Sequence, residues 1–217
     1  MTPRRLLGLS PVIPVMVVAD AALAVDIAAA LVDGGLRVLE VTLRSAAGYE
    51  ALRRIRDALP QALVGAGSVL GPQQWQRALD HGAQFGVSPG LCPALAGAVH
   101  AAGLPFIPGV ATASEAMQAA EQGFEVLKLF PAQAAGGCRW LRSMHGPLPR
   151  LRFCPTGGID AESAAHYLAL PNVDCVGGTW LTPADAVAAR DWSRIRELAH
   201  QASRLQRPGL RADTDTP

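Results

Sequence analysis

The single lysine of the chain lies inside an apolar, strand-like run. Eighteen of the 19 basic residues are arginine, and the exception is Lys128, within Phe-Glu-Val-Leu-Lys-Leu-Phe-Pro. Burying an ammonium group is costly unless it is paired, and burial favours the neutral amine. A neutral amine attacks carbonyl groups and forms Schiff bases, whereas arginine stays protonated and cannot. Lys128 is therefore a candidate nucleophile, with a structural lysine paired to a carboxylate as the alternative.

A second set of polar side chains interrupts the run Arg-Val-Leu-Glu-Val-Thr-Leu-Arg. Glu40, Thr42 and Arg44 are spaced two residues apart, so a β-strand points them to one face. On the inner face of a barrel, Glu40 can serve as general acid and base. Arg44 can hold a substrate carboxylate through two parallel hydrogen bonds. The alternative is an internal ion pair between Glu40 and a basic side chain.

Glycine pairs follow the last two predicted strands. Gly157-Gly158 precedes a predicted helix, where backbone N–H groups and the helix dipole attract anions and glycine permits close approach. Gly177-Gly178-Thr179 forms a second loop of this kind. In α/β barrels, phosphate sites often form from the loops after strands seven and eight. These loops predict a phosphate site, and the alternative is that they are only tight turns.

Short apolar runs alternate with Ala-rich amphipathic segments at the period of a βα unit. The predicted strands are Val12–Val18, Leu36–Leu43, Ala62–Val69, Gln84–Ser88, Pro105–Val110, Phe124–Phe130, Leu151–Pro155 and Val173–Gly177. Eight such units favour a (β/α)8 TIM barrel, in which chemistry lies at the carboxyl ends of the strands. A doubly wound open sheet is the alternative, but no G-x-G-x-x-G follows the first strand.

Helix signals fall between these strands. The predicted helices are Ala21–Asp33, Gln73–His81, Ser114–Gln122, Ala161–Leu170 and Trp192–Gln206. Asp20 and Asp160 are expected to cap the first and the fourth of them. No linker is visible, so we expect one domain over residues 1–206 and a disordered tail over 207–217.

Composition excludes several classes of protein. Half of the 217 residues are apolar and the net charge is +1, so neither extended disorder nor a nucleic-acid or membrane partner is expected. The four cysteines and five histidines show no metal-ligand spacing, so we expect no metal and a reduced, cytoplasmic protein. Arg4 and Arg5 precede an apolar run as in a secretory signal, but Pro11, Pro14 and Asp20 argue against that interpretation.

A series of short runs, in order along the chain, resembles the KHG/KDPG aldolases, class I enzymes that act on 2-keto-3-deoxy-6-phosphogluconate. The matching runs are Pro11–Val18, Gly35–Arg44, Val64–Leu70, Gly82–Gly90, Ile107–Val110, Leu127–Ala132, Phe153–Ile159 and Val176–Leu181. Each run is weak by itself, and the combination is specific. The resemblance implies a (β/α)8 barrel, a homotrimer, a small keto-acid sugar phosphate as substrate, and no metal or other cofactor.

The resemblance also implies roles for single residues. Lys128 takes the position of the Schiff-base lysine and Glu40 that of the general acid and base. The positions matched to substrate binding are Arg44 and Ser68 for the carboxylate, Pro89 for the wall of the site, and Gly157, Gly158 and Thr179 for the phosphate.

Three positions depart from the family's usual residues. Threonine is common where Ser68 stands and serine where Thr179 stands, and both changes keep the hydroxyl group. An acidic residue is common where Gln133 stands, which leaves substrate specificity open. The alternatives are an aldolase for 4-hydroxy-2-oxoglutarate or 2-keto-3-deoxy-6-phosphogalactonate, a phosphate-binding barrel isomerase or synthase without a Schiff base, and a non-catalytic binding barrel.

Overall fold

Parallel strands form the centre of the structure, a computed structural model that describes residues 1–208. The strands are β1 Val12–Met16, β2 Val38–Thr42, β3 Leu63–Gly67, β4 Gly86–Val87, β5 Phe106–Ile107, β6 Gly109–Val110, β7 Val126–Leu129, β8 Arg152–Phe153 and β9 Val176–Gly178. Strands such as β1 and β2 are buried along their whole length, as expected for a parallel sheet covered by helices.

The strands close into a ring. Six of them pair in the order β5-β4-β3-β2-β1-β9, and three pair in the order β6-β7-β8. Only Pro108 separates β5 from β6, so these two short strands together form one of the eight strands of the barrel, each of which we call a stave. This stave is interrupted at Pro108 because proline has no N–H to donate to the hydrogen bonds between strands. Bridges from Phe153 to Val173 and from Thr156 to Gly177 join β8 to the segment of β9. The architecture is the predicted (β/α)8 barrel of eight staves.

Helices surround this ring. They are α1 Pro3–Gly8, α2 Ala24–Asp33, α3 Ala47–Ala58, α4 Pro72–Asp80, α5 Pro93–Ala102, α6 Ala113–Glu121, α7 Gly137–His145, α8 Ala161–Leu168, α9 Ala184–Ala189 and α10 Trp192–Ser203. The larger of the two hydrophobic clusters contains the outward side chains of the strands and the inner faces of these helices. It holds the staves in place around the site.

The smaller hydrophobic cluster fills the barrel interior toward the amino-terminal ends of the strands. Inward-facing residues such as Ile13, Val38 and Val126 meet Leu6 and Leu7 of α1 there, so the first helix closes the amino-terminal end of the barrel. The sequence did not predict this helix, because six residues have too little local helical stability and tertiary burial holds them. Within residues 1–208, no helix is both long and apolar enough to cross a membrane.

Several predicted boundaries differ from the structure. The strands are shorter than the apolar runs that predicted them, and the last helix ends at Ser203 rather than Gln206. Asp20 does not cap α2, which begins at Ala24, because its carboxylate accepts from Ala22 N in the preceding turn. Asp160 caps α8 as predicted, in a reciprocal arrangement with Ser163.

The division into one domain and a tail stays a prediction. Arg207, at the start of the predicted tail, donates hydrogen bonds to the carbonyl oxygens of Leu7 and Gly8 at 3.2 and 3.0 Å. The rest of the predicted disordered tail, from residue 209 to residue 217, lies outside the described residues.

Candidate active site

A buried amine and a buried carboxylate meet inside the barrel. Lys128 on β7 and Glu40 on β2 are 88 residues apart in the chain, and Lys128 Nζ lies 3.4 Å from Glu40 Oε1. The two side chains are only 6% and 4% exposed, so each is the other's main compensation for lost hydration. Nζ also lies 5.0 Å from the centroid of the Phe130 ring. A nucleophile and a proton acceptor are therefore held together in an apolar setting.

Two glycines of β3 make room for Glu40 and for the neighbouring ring of Phe85. Gly65 pairs with Glu40 and Gly67 with Thr42 in the parallel register. A Cβ atom at Gly67 would collide with the carboxylate of Glu40, and one at Gly65 would collide with the ring of Phe85. The ring of Phe85 therefore lies against β3 at Gly65, and the carboxylate of Glu40 lies across the strand at Gly67. This explains why the third strand ends in Gly-Ala-Gly.

The loop after β3 carries Ser68 into the site in a strained conformation. Its φ of 61° lies in the left-handed region, which residues other than glycine adopt rarely and at a cost of about 1–3 kcal/mol. The loop is held at Leu70, whose N–H donates to Gln74 Oε1 at 2.8 Å. Strain of this kind persists where surrounding contacts fix the backbone, and it often marks a functional position.

The loop between β8 and α8 supplies a backbone suited to an anion. Gly157 and Gly158 have φ angles of 100° and 76°, which glycine adopts without strain. Asp160 caps the helix that follows, and its hydrogen bonds with Ser163 lower the pKa of the Asp160 carboxyl. Thr179 lies directly after Gly178, whose missing Cβ leaves space for the ring of Trp180. Both glycine loops therefore reach the same end of the barrel.

All of the predicted site residues line one cavity of about 380 Å³ at the carboxyl ends of the strands. They are Glu40, Arg44, Ser68, Pro89, Lys128, Gly157, Gly158 and Thr179. The volume is that of a small-ligand site. The carboxylate–amine pair lies within it, together with an arginine and the glycine loops, so one ligand with two anionic ends could contact every group.

The cavity also includes residues that the sequence did not single out as site residues. Phe130, Thr156, Leu70 and Gln74 line it, as does Thr42. Alternation along β2 placed Thr42 on the same face as Glu40, and the same alternation along β7 placed Phe130 on the face of Lys128. Gln74 gave no signal, because it comes from a helix and reaches the cavity only through the fold of the preceding loop.

Other chemically active side chains lie away from this cavity. Cys154 and Cys175 are buried neighbours with Sγ atoms 3.3 Å apart, and burial raises the pKa of the Cys175 thiol well above its usual range. Across the described range, 1–208, no group of three or more His, Cys, Asp or Glu side chains is placed to hold a metal ion.

Comparison with known proteins agrees with this geometry. The family profile described as KDPG and KHG aldolase matches residues 4–198. The KHG/KDPG aldolase of Escherichia coli K12 is 48% identical over 197 residues, which are 91% of this chain and 92% of the relative. The 2-dehydro-3-deoxy-phosphogluconate aldolase of Dickeya dadantii is 47% identical over 198 residues, covering 91% and 93% of the two chains.

Solved structures extend the likeness to three dimensions. The KDPG aldolase of Legionella pneumophila, solved with pyruvate captured as a covalent carbinolamine intermediate, superposes with a TM-score of 0.92 at 42% identity. The superposition covers 94% of this chain and 98% of the Legionella chain. The aldolase of Zymomonas mobilis with 3-phosphoglycerate has the same TM-score and identity, covering 96% and 98%. With the barrel, the buried Lys128–Glu40 pair and these matches together, the chain belongs to the KDPG/KHG aldolase family.

Proposed function

We propose that the protein is a class I aldolase that cleaves 2-keto-3-deoxy-6-phosphogluconate into pyruvate and glyceraldehyde 3-phosphate. The observation that carries this proposal is the position of Lys128, the single lysine of the chain, buried 3.4 Å from the buried Glu40 in the cavity. A buried amine beside a proton acceptor is the arrangement that imine chemistry needs. The carbinolamine captured in the Legionella relative supports the same chemistry.

Imine formation starts with transfer of a proton from Lys128 Nζ to Glu40. The neutral amine adds to the C2 ketone, a C–N bond forms as the C=O π bond breaks, and the nitrogen passes one of its protons to the C2 oxygen, which becomes the hydroxyl of a neutral carbinolamine. Glu40 then protonates this hydroxyl, water leaves, and a positively charged iminium remains.

Bond cleavage uses the iminium as an electron sink. Glu40, again a carboxylate, removes the proton of the C4 hydroxyl through a water molecule. The C3–C4 bond breaks, its electron pair moves toward the iminium, and glyceraldehyde 3-phosphate leaves from the resulting enamine. Protonation of the enamine at C3 and hydrolysis of the new iminium release pyruvate and restore Lys128.

Two sets of cavity residues are assigned to the two anionic ends of this substrate. Arg44 and the strained Ser68 would hold the carboxylate next to C2, and both line the cavity. Gly157, Gly158 and Thr179, which also line it, would hold the phosphate through backbone N–H groups and a hydroxyl. Pro89 contributes to the cavity wall. The chain can therefore fix the substrate at both ends while bond cleavage takes place in between.

The test is reduction of the imine. The folded protein is incubated with pyruvate and borohydride, its intact mass is measured, and its peptides are mapped. We expect one reduced pyruvyl adduct on Lys128, with the amino terminus unmodified. No adduct in folded protein would contradict the proposal and favour a phosphate-binding barrel isomerase or synthase that uses no Schiff base. Activity unchanged after extensive chelator treatment is the expected result for a reaction that needs no metal.

A second substrate is 4-hydroxy-2-oxoglutarate, which the same steps would cleave into pyruvate and glyoxylate. The name of the Escherichia coli relative, KHG/KDPG aldolase, supports testing it. This substrate carries no phosphate for the glycine loops, so we expect a lower kcat/KM than for the phosphogluconate substrate. Equal kcat/KM values would contradict a phosphate site in these loops.

We further propose a homotrimer located in the cytoplasm. The resemblance to the family supports the trimer, and cysteine usage without a disulfide framework supports the cytoplasm. Light scattering after size-exclusion chromatography should give about three times the 22.6 kDa mass of the chain. A single-chain mass across the concentration range would contradict the trimer.

A further inference from the structure

A buried hydroxyl in the cavity has no partner within the protein. Thr42 is 1% exposed, and its Oγ1 makes no hydrogen bond to any described residue. Leaving a buried polar group unpaired is unfavourable, and such groups in native structures usually have a protein, water or ligand partner. Of the described residues with buried, unpartnered side-chain N or O atoms, Thr42 is the one that lines this cavity.

Two other buried hydroxyls of the barrel, those of Ser10 and Thr156, do find partners. Ser10, below the start of β1, donates to Val12 O at 2.7 Å. Thr156, also in the cavity wall, donates to Cys154 O at 3.5 Å. Ser88 is also buried without a partner for its hydroxyl, but it does not line the cavity, so among the described residues Thr42 is the one such hydroxyl-bearing residue in the cavity wall.

The register of β2 and β3 places this hydroxyl beside the reacting groups. Thr42 pairs with Gly67, and the carboxylate of Glu40 lies against the Cα of that same Gly67. Thr42 is thus level with the carboxylate that faces Lys128 Nζ. Arg44 lies in the turn just after β2 and lines the same cavity. Along the chain, Thr42 therefore stands between Glu40 and the arginine proposed to bind the substrate carboxylate, and all three residues line one cavity.

We propose that Thr42 is a further substrate-contacting residue, whose hydroxyl donates a hydrogen bond to the carboxylate at the keto-acid end of the substrate. This inference rests on the proposed aldolase function. The carboxylate is adjacent to C2, the atom that bonds to Lys128, so its oxygens come within the region between Lys128 and Arg44. A carboxylate only accepts hydrogen bonds, and the O–H group of Thr42, which has no partner among the described residues, can donate one to it.

The first comparison is between Thr42→Val, which removes the hydroxyl and keeps the branched shape, and Thr42→Ser, which keeps it. Pyruvate alone is the probe, since it carries the keto-acid end without the phosphate. Loss of a hydrogen bond to a charged group predicts that the pyruvate concentration for half-maximal borohydride trapping rises roughly tenfold or more in the valine variant. The serine variant should stay within about threefold of the parent.

Steady-state kinetics with the whole substrate test the same contact. The carboxylate stays charged throughout the reaction, so its hydrogen bond is made equally in the ground state and the transition state. The valine variant should therefore show a KM raised roughly tenfold with kcat nearly unchanged. A kcat that falls with unchanged KM would overturn the assignment to the carboxylate.

Thermal stability separates this role from a structural one. Removing an unpartnered buried hydroxyl should leave the melting temperature of Thr42→Val equal to or above that of the parent in the absence of ligand. The matched control is Ser10→Ala, which loses a satisfied buried hydroxyl just before the start of β1. That control should melt at a lower temperature with unchanged pyruvate trapping.

These experiments distinguish a failure of the Thr42 inference from a failure of the proposed aldolase function. If the parent protein forms no pyruvate adduct, the aldolase proposal fails, and this inference fails with it. If the parent is trapped and Thr42→Val is trapped at the same pyruvate concentration, the hydroxyl does not contact the substrate, although the aldolase proposal stands. A lower melting temperature with normal trapping shows a structural hydroxyl and also overturns the inference. Thr42→Ala gives the same comparison if the valine variant does not fold.

Discussion

Lys128 and Glu40 occupy positions that few other residue types could fill. An arginine at 128 would keep its proton and could not attack a ketone. An amide at position 40 could accept a hydrogen bond but could not exchange protons with the amine. In the proposed mechanism the buried contact of 3.4 Å serves as a proton-transfer pair rather than as a source of stability, since buried ion pairs often contribute little net free energy.

Replacing the nucleophile should remove turnover and leave the fold intact. In Lys128→Arg we expect kcat to fall by on the order of 10³-fold or more, because no imine can form. Aldehyde release and borohydride trapping measure this, with circular dichroism as the check on folding. Arg54→Lys, which introduces a lysine on the exposed face of α3, is the matched control and should show no second adduct. Near-normal activity in Lys128→Arg would contradict the mechanism.

Replacing the proton carrier should slow the reaction without preventing imine formation. In Glu40→Gln we expect kcat to fall roughly 10²- to 10⁴-fold, the usual contribution of general acid–base catalysis. Trapping with borohydride should still label Lys128, at a lower rate. Glu50→Gln, on the exposed surface of α3, is the control and should have parental kinetics. Unchanged turnover in Glu40→Gln would remove Glu40 from its assigned role.

At the scale of secondary-structure elements, strand β3 and the caps of the outer helices position the side chains and loops of the site. Glycine at 65 and 67 lets two neighbouring side chains lie against the strand. Capping residues begin α6 and α8 at fixed points and so fix the loops that lead into them. Elements here determine where a functional side chain can lie.

A single methyl group on β3 should displace the proton carrier. In Gly67→Ala the added Cβ would collide with the Glu40 carboxylate, so we expect kcat to fall at least roughly tenfold, since misplacing a catalytic group is costly. The measurement is kcat alongside the melting temperature. Gly97→Ala is the control, because nothing lies near that position on α5 and the change should stabilise the helix by about 0.5–1 kcal/mol. Parental kcat in Gly67→Ala would show that Glu40 can work from another position.

The cap of α6 should make stability depend on acid pH. Glu115 accepts hydrogen bonds from the N–H groups of Ala111 and Thr112, which lower the pKa of its carboxyl in the folded state. Its contribution is therefore complete above its unfolded pKa and is lost as the pH falls through the lower folded value. Glu115→Ala should reduce the free energy of unfolding by about 1 kcal/mol at neutral pH.

Urea unfolding at neutral pH and at a pH below the folded pKa checks this dependence. The difference between parent and Glu115→Ala should shrink in acid, because the protonated carboxyl no longer stabilises the cap. Glu121→Ala, at the far end of the same helix, is the control and should differ little from the parent at either pH. If the difference in free energy of unfolding between the parent and Glu115→Ala stays constant with pH, Glu115 stabilises the helix through packing rather than through its charge.

At the scale of the whole molecule, one end of the barrel carries the candidate active site and the other end carries contacts that stabilise the fold. The reacting groups lie at the carboxyl ends of the strands, whereas α1 and a buried ion pair close the amino-terminal end. Arg152 Nε donates to Asp174 Oδ1 at 2.8 Å, and Asp174 is fully buried with its second carboxylate oxygen unpaired. This end is expected to determine stability rather than catalysis.

Breaking that ion pair should affect stability alone. Arg152→Leu leaves a buried carboxylate without its cation, so we expect the free energy of unfolding to fall by about 3 kcal/mol or more, with unchanged KM and kcat at temperatures where the protein is folded. The control is Arg194→Leu, which breaks an exposed pair with Asp185 and should cost less than about 1 kcal/mol. Altered kinetics in folded Arg152→Leu would show that the two ends are coupled.

The sequence by itself was enough for the barrel and for eight of the residues that line its cavity. Eight apolar runs at a regular spacing predicted the staves, and the period of two along β2 placed Glu40 and Thr42 on one face. Arg44, which was predicted to share that face, lies in the turn beyond the strand and still lines the same cavity. These signals are local. They depend on residue type and on the geometry of a single strand or loop, and residues close in the chain determine that geometry. For the same reason the reciprocal cap of α8 was visible in advance at Asp160.

Tertiary structure decided the features that need two distant segments at once. The contact between Lys128 and Glu40, the left-handed backbone of Ser68 and the closure of the barrel by α1 all depend on how the ring of strands closes. The same holds for Thr42: alternation placed it on the inner face, but only the packed barrel shows that its hydroxyl has no protein partner. Sequence spacing fixes the direction of a side chain along its own strand, whereas its partners depend on the register and packing of the other strands.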